Sequence, residues 1–430
     1  MLTVIGGAYR EICLEPKWDH LYGSGLRAAA AISDLVRETT QEPVHLISWA
    51  KAGPEMEELV ARAQSFGIGL DVKARAQSIS YQYAHGLTIP ALYPGQDEII
   101  PIEAFETKLD NVLYMGVIES SLNDNGGAIQ ITASVVVYDP QAGKNAVPWS
   151  FRKSNADRLA IVANLSEARA IAKHLAMADF SDASPYALAK YIRCTEGAEV
   201  VIIKNGAFGA FVATDADIHH VASYKTDRVF KIGSGDIFSA VFAAYWAELG
   251  EDPVESAERA SAAAAFYCNS YGVLPIPADF DEILNQVGPH RVSVRTATSV
   301  RQRHVYIAAP LFTFPQRWFI QEIRRCLEEH GVRTFSPYHD VGVKGRAAEI
   351  AKADIDGLNE SAVVFAVVDG LDAGTLFEIG YATAREIPVV AFAQLNDNRN
   401  LLMVAGSGNC EIIQDFPTAI YRAAWKALEI

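Results

Sequence analysis

Long uncharged apolar runs are missing from this 430-residue chain, and no stretch reaches the roughly 18 residues that a helical membrane span requires. No membrane association is therefore expected. Cysteine is sparse: Cys13, Cys194, Cys268, Cys326 and Cys410 are scattered, without the paired spacing of a zinc site or a redox dithiol. They are expected to be buried thiols in a reducing compartment. Basic residues are outnumbered, 37 against 52 acidic ones, and the formal charge of -15 argues against general polyanion binding such as nucleic acid, while leaving room for local phosphate sites. The start, MLTVIGGAYREICLEP, has no basic region leading into a long apolar stretch, so a cytoplasmic enzyme is expected. Internal repeats and low-complexity segments are also lacking.

What remains is the composition of an ordinary globular protein, 50% hydrophobic and 21% charged, at a length that suits two domains better than one core. Short apolar runs read as buried strands: LTVIGG, VHLIS, NVLYMG, SVVVYDP, LAIVAN and EVVIIKNG. Helical patterns lie between and after them, among them SEARAIAKHLA, SPYALAKYI and SGDIFSAVFAAYWAEL. Strands interleaved with helices predict an α/β sheet built from crossover units. The rhythm breaks at 286–303, a basic stretch poor in large apolar residues, which reads as a linker. It restarts with HVYIAAP, a helix over about 315–330, VRTFSP, a helix through AAEIAKADIDGLNE, the strand SAVVFAVVD and IPVVAFA. The expected domains are 1–285, the linker 286–303, and 304–430.

Two segments carry chemistry. In GSGDIF, Gly233, Ser234 and Gly235 lack bulky side chains at a helix start, where backbone N–H groups and the helix dipole favour an anion such as a transferring phosphoryl group. Asp236 follows, placed to take a proton from an attacking hydroxyl, or simply to cap the helix. In GTLFEIG, Glu378 is a lone carboxylate among Leu376, Phe377 and Ile379 just after a strand, where ligands of a parallel sheet bind. The alternative is an exposed first-turn glutamate held by the helix dipole.

Around GSGDIF the chain resembles the ribokinase-like (PfkB) family of carbohydrate and nucleoside kinases, through VVVYDP, then Asn164-Leu165-Ser166-Glu167, then VVIIKNGAFGAFV. The resemblance spans about 1–285 and implies a three-layer α/β kinase domain using ATP and Mg2+. It makes Asp236 the catalytic acid–base residue and gives Glu167 a role in organising magnesium. Gly233, Ser234, Gly235, Asn164, Lys204 and Gly206 then face the ATP phosphates. The acceptor end departs from the family: Glu11 stands near the place of an aspartate, and Arg27 or Ala28 stands where an asparagine is expected. Sugar specificity is therefore not inherited, and Arg27 reads either as a ligand for a phosphate already on the substrate or as a surface arginine.

Residues 304–403 resemble the nucleoside 2-deoxyribosyltransferase family, which includes nucleotide N-glycoside hydrolases, through VYIAAPLF, FSP, Asp354-Ile355-Asp356 and DAGTLFEIGYA. The resemblance implies a smaller Rossmann-like parallel-sheet domain. Glu378 becomes the nucleophile or charge stabiliser at the anomeric carbon, with Tyr306 orienting it. Asp372 holds a sugar hydroxyl beside Gly374 and Thr375, and Asp354 faces the base, with Asp356 competing for that place. Asn400 and Met403 are a loose match to a segment that family members lend to a neighbouring subunit, so a homo-oligomer is expected. His339 and Asp340 read as surface polar residues on a loop.

The expectation is an enzyme of nucleoside or nucleotide metabolism that joins ATP-dependent phosphorylation to cleavage or exchange of a base–sugar bond. Its partners would be small nucleosides, nucleotides or sugars. The other reading is a nucleotide-sensing kinase-like domain that regulates a nucleotide- or NAD-depleting N-glycohydrolase. Hydrolase against transferase, and ribose against deoxyribose, stay open.

Overall fold

Nine strands form the central sheet of the first of two units in the computed structural model. The model describes residues 1–121, 128–293, 304–342, 345–395 and 400–429. The first unit comprises Met1–Thr226 and Phe230–His290, the second Asp227–Val229 and Arg291–Ile430. Of the expected linker, residues 294–303 lie outside the described residues, and its first two residues end the helix Phe280–Val287.

From one edge the large sheet runs Ile218–Val221, Ala210–Ala213, Val200–Lys204, Asn155–Asn164, Ile129–Asp139, Phe105–Met115, Leu2–Ile5, His45–Lys51 and Gly69–Arg75. All pairings are parallel except those made by Ala210–Ala213, so the sheet is mixed rather than built from crossovers alone. Side chains alternate between two cores. Leu2, Val4, Leu113, Met115, Val162 and Ile202 pack with the helices Gly23–Thr40, Ser234–Ala243 and Pro253–Asn269. Ile5, Val112, Tyr114, Ile161 and Ile203 pack with Leu165–His174 and Pro185–Glu196. Cover on both faces accounts for the apolar runs and gives the three-layer α/β arrangement. At the end of the first strand, Gly6 and Gly25 meet so closely that a Cβ on Gly25 would lie 2.5 Å from the Gly6 carbonyl carbon. This contact seats the start of the helix Gly23–Thr40 against the strand.

A separate four-stranded sheet, ordered Trp18–Leu21, Arg10–Glu15, Ser80–His85 and Ala91–Tyr93, has no counterpart in the expected elements. Its strands (WDHL, REICLE, SYQYAH, ALY) are polar and partly exposed, so a search for continuous apolar runs passes over them.

In the second unit five parallel strands run in the order Thr334–Phe335, His304–Ala308, Ser361–Val367, Val389–Phe392 and Cys410–Ile413. The strand expected over 361–369 stops at Val367, because Asp369 turns to accept the backbone N–H groups of Gln394 and Leu395 at 2.9 Å each. The stretch holding His339 and Asp340 is a single π turn, Pro337–Val341, rather than an open loop; both residues are exposed, and Asp340 accepts the Ser336 N–H at 2.8 Å. Of the cysteines, Cys13 and Cys326 are buried, Cys268 and Cys410 are half-buried, and Cys194 is exposed, which corrects the expectation that all five are buried. Among the described residues no helix is long and apolar enough to cross a membrane.

Candidate functional site

Three neighbouring parallel strands end together on Asp139, Asn164 and Lys204, at the carboxyl edge where an open α/β sheet takes its ligands. Lys204 Nζ donates to Asp139 Oδ2 at 2.7 Å and to Ser239 Oγ at 3.1 Å, and lies 3.4 Å from the Gly235 carbonyl. Asp139 is fully buried, and its other oxygen, Oδ1, has no partner among the described residues. Asp139 has no role among the expected site residues, although an acid closing the apolar run VVVYD is its signal in the sequence.

Asn164 and Glu167 form a capping box at the start of Leu165–His174. Glu167 N–H donates to Asn164 Oδ1 at 2.9 Å, and Asn164 N–H donates to Glu167 Oε2 at 2.8 Å. Burial, together with nearby Asp139, pushes the Glu167 carboxyl up to about 7. Asp139 Oδ1 and Glu167 suit a magnesium ion whose shell is completed by phosphate oxygens and water, and Lys204 suits the phosphates themselves. Gly206 opens a short 3-10 turn just beyond Lys204.

Gly233, at φ +79°, caps the helix Ser234–Ala243, so Asp236 does not act as its cap. The Ser234 and Asp236 N–H groups turn onto the carbonyls of Lys231 (3.1 Å) and Gly233 (3.0 Å). Both carboxylate oxygens of Asp236 are engaged: Oδ2 accepts from Arg27 at 2.9 Å and Oδ1 from Gln141 at 3.0 Å. Arg27 is only 1% exposed, so it is no surface arginine. Its fork also grips Glu11, and its Nε donates to Tyr267 Oη at 3.1 Å. Ala28 is buried in the core. Gln141 and Tyr267 escaped sequence reasoning because nothing local marks an amide or a phenol as facing a residue some 100 or 240 positions away.

In the second unit, Tyr306 lies on the strand His304–Ala308 beneath the helix Ala373–Ala384, and its hydroxyl donates to Glu378 Oε1 at 2.6 Å. Glu378 is the sixth residue of that helix, past the first turn, so the first-turn reading fails on position as well as on burial. Burial raises its carboxyl to about 7; the Tyr306 hydrogen bond pulls the other way, while Asp354 and Asp372 add to the rise. The Tyr306 hydroxyl is itself held protonated by burial and by Glu378, which keeps it a donor. Phe335 stacks on the Tyr306 ring at 5.4 Å and fixes its plane; this residue had no assigned role.

Asp354 sits on the helix Ala347–Asn359, is raised by burial, and has a buried oxygen, Oδ1, with no partner among the described residues. Asp356 on the same helix is exposed, which favours Asp354 as the acid that faces Glu378. Asp372 caps the helix, accepting from the Thr375 N–H at 2.8 Å and its Oγ1 at 3.1 Å, with Gly374 against the same carboxylate. Asn400 and Met403 are exposed, Met403 at 87%, and share no described contact with Glu378.

The raised pKa of this half-buried acid has a stability consequence. Folded, it keeps its proton up to about pH 7; unfolded, it releases it near 4.5, so stability falls as pH rises between those values. Above pH 7 the cost is about 3 kcal/mol. Glu378→Gln is therefore expected to stabilise the second unit at pH 8 and to leave it unchanged at pH 4, as read by hydrogen exchange in Ala373–Ala384. Equal protection of variant and wild type at pH 8 would contradict the burial cost.

The second unit thus pairs a half-buried carboxylate with a tyrosine hydroxyl, and the first brings an acid and a lysine to a glycine turn. Residues 134–279 match the pfkB family of carbohydrate kinases, and residues 305–412 match the nucleoside 2-deoxyribosyltransferase family. The chain thus joins a PfkB, ribokinase-like domain to a nucleoside 2-deoxyribosyltransferase domain, both from families of enzymes. No curated protein matches it. Among solved structures, ribokinase from Thermotoga maritima is similar at 15% identity and TM-score 0.45, over 66% of this chain and 99% of that one. Aminoimidazole riboside kinase from Salmonella enterica is similar at 16% identity and TM-score 0.44, over 66% and 99%.

Proposed function

We propose that the second unit breaks the base–sugar bond of a nucleoside or nucleotide, with the Glu378 carboxylate against the anomeric carbon. The observation that carries this reading is the 2.6 Å hydrogen bond from Tyr306 to a half-buried Glu378. Departure of the base leaves positive charge on the sugar, and an anion held in an apolar setting opposes that charge strongly, because little water screens it. Tyr306 fixes the carboxylate and favours its ionised form. Asp354, whose carboxyl burial raises, is assigned to face the departing base. Asp372, with Gly374 and Thr375, offers a carboxylate to sugar hydroxyls. Whether water or a second base completes the reaction sets hydrolysis against transfer. Incubation with a nucleoside and nucleotide panel, followed by chromatography, tests the reading: free base is expected, and its absence across the panel would refute it.

The pH dependence is specific. Glu378 faces Tyr306, Asp354 and Asp372, and activity should rise as its proton leaves near pH 7. Tyr306→Phe removes a hydrogen bond that favours the ionised form, so the acid limb of kcat/KM should move upward by about 1 pH unit. An unmoved or lowered limb would contradict the role given to Tyr306.

For the first unit we propose ATP- and Mg2+-dependent phosphorylation of a sugar or nucleoside hydroxyl. Asp236 takes the hydroxyl proton, Lys204, Asn164, Gly206 and the turn Gly233–Gly235 hold phosphate, and Glu167 helps hold magnesium. ATP with magnesium supplies the phosphoryl group when bound. A second reading is favoured by one observation, the engagement of both Asp236 oxygens. On that reading the unit senses a nucleotide and regulates the glycosidic site. We also place Asn400 in a contact between two copies of the chain, supported by exposed Leu402 and Met403 beside it (67% and 87%).

A further inference from the structure

We infer that Arg27 and Glu11 gate the phosphoryl-acceptor site of the first unit, and that the acceptor which opens it carries an oxyanion, carboxylate or phosphate, that takes Glu11's place on Arg27. The inference rests on the phosphoryl-transfer reading of Asp236.

Arg27 lies on the body of the domain, in Gly23–Thr40, and Glu11 on the small four-stranded sheet, in Arg10–Glu15. Their side chains are almost fully buried and meet fork to fork: Arg27 Nη1 donates to Glu11 Oε1 at 3.0 Å and Nη2 to Oε2. The same Nη1 donates to Asp236 Oδ2. The guanidinium also lies directly on the glycine turn: a Cβ on Gly233 would stand 2.1 Å from Arg27 Nε. The space freed by this glycine is thus taken by Arg27.

An acceptor hydroxyl that is to lose its proton must come within hydrogen-bond reach of Asp236, where Arg27 and Gln141 now sit. A neutral sugar that broke the Arg27–Glu11 fork would strip a buried cation of a carboxylate and return only hydroxyls. An oxyanion on the acceptor restores the lost charge in the same two-point geometry. Glu11 then leaves with its strand, so the number of anions facing Arg27 does not change. A guanidinium is needed for this exchange, since lysine offers a point charge without the fork.

The test is calorimetric titration of the full-length protein with ribose, ribose 5-phosphate and gluconate, for wild type, Arg27→Gln and Glu11→Gln. Wild type is expected to bind at least one anionic compound about 10-fold or more tightly than ribose. Arg27→Gln should lose that preference, and Glu11→Gln, which removes the internal competitor, should strengthen anion binding. If ribose binds wild type as tightly as both anionic compounds, if Arg27→Gln keeps the preference, or if nothing in the panel binds, the gate is wrong. The wild-type comparison stands even if a variant fails to fold, and phosphate and gluconate separate the two oxyanion sources. Transfer from ATP is followed in parallel. Arg27-dependent anion binding without transfer supports the gate and refutes the kinase reading; transfer to ribose without anion preference does the reverse.

Discussion

Glu378→Ala is expected to lower base release from a nucleoside by roughly 10^4-fold or more, the scale on which removal of a nucleophile acts. The size follows from the setting. The carboxylate is half-buried, so its field on a developing sugar cation is poorly screened, and Tyr306 holds one oxygen in place. Glutamine keeps the shape and the capacity to hydrogen-bond to Tyr306 but carries no charge, so Glu378→Gln should be nearly as damaged. Steady-state assays of base release at pH 8, where the wild-type carboxylate is ionised, make the comparison. A loss of less than about 10-fold would show that another group meets the anomeric carbon.

Asp236→Asn is expected to lower phosphoryl transfer by roughly 10^2- to 10^4-fold, the range for loss of a general base, and to leave base release unchanged. Asparagine preserves the acceptor oxygen that meets Arg27 and removes the proton-accepting charge. The reciprocal pair, Glu378→Ala tested for transfer and Asp236→Asn tested for base release, shows whether the two chemistries are separable. Unaltered transfer by Asp236→Asn would remove this residue from the reaction.

Residues that chemistry places close together in the chain were legible in the sequence. Gly233 to Asp236 and Asp372 to Glu378 each announce a helix start carrying an acid, and apolar strands before helices gave the α/β class of both units. The Asn164–Glu167 spacing was legible too, and it turns out to be a capping box as well as a candidate phosphate-side element. What the sequence hid were contacts across the fold. Arg27 meets Asp236 across 209 positions, and only the packed structure shows that Arg27, one of the two residues near the expected asparagine's place, is a buried cation bound to two acids. The small sheet was hidden for a different reason: its strands are half-exposed and polar, and the burial that identifies them comes from tertiary packing. Asp354 and Asp356, equivalent as letters two apart, separate only when helical geometry turns one toward Glu378 and the other toward solvent.

The most direct test of the central claim is a crystal structure of the Glu378→Gln variant holding an intact nucleoside. The account places the anomeric carbon within about 3–3.5 Å of the side chain at position 378, with a sugar hydroxyl on Asp372 and the base toward Asp354. A nucleoside bound in that unit with its anomeric carbon away from position 378 would contradict it.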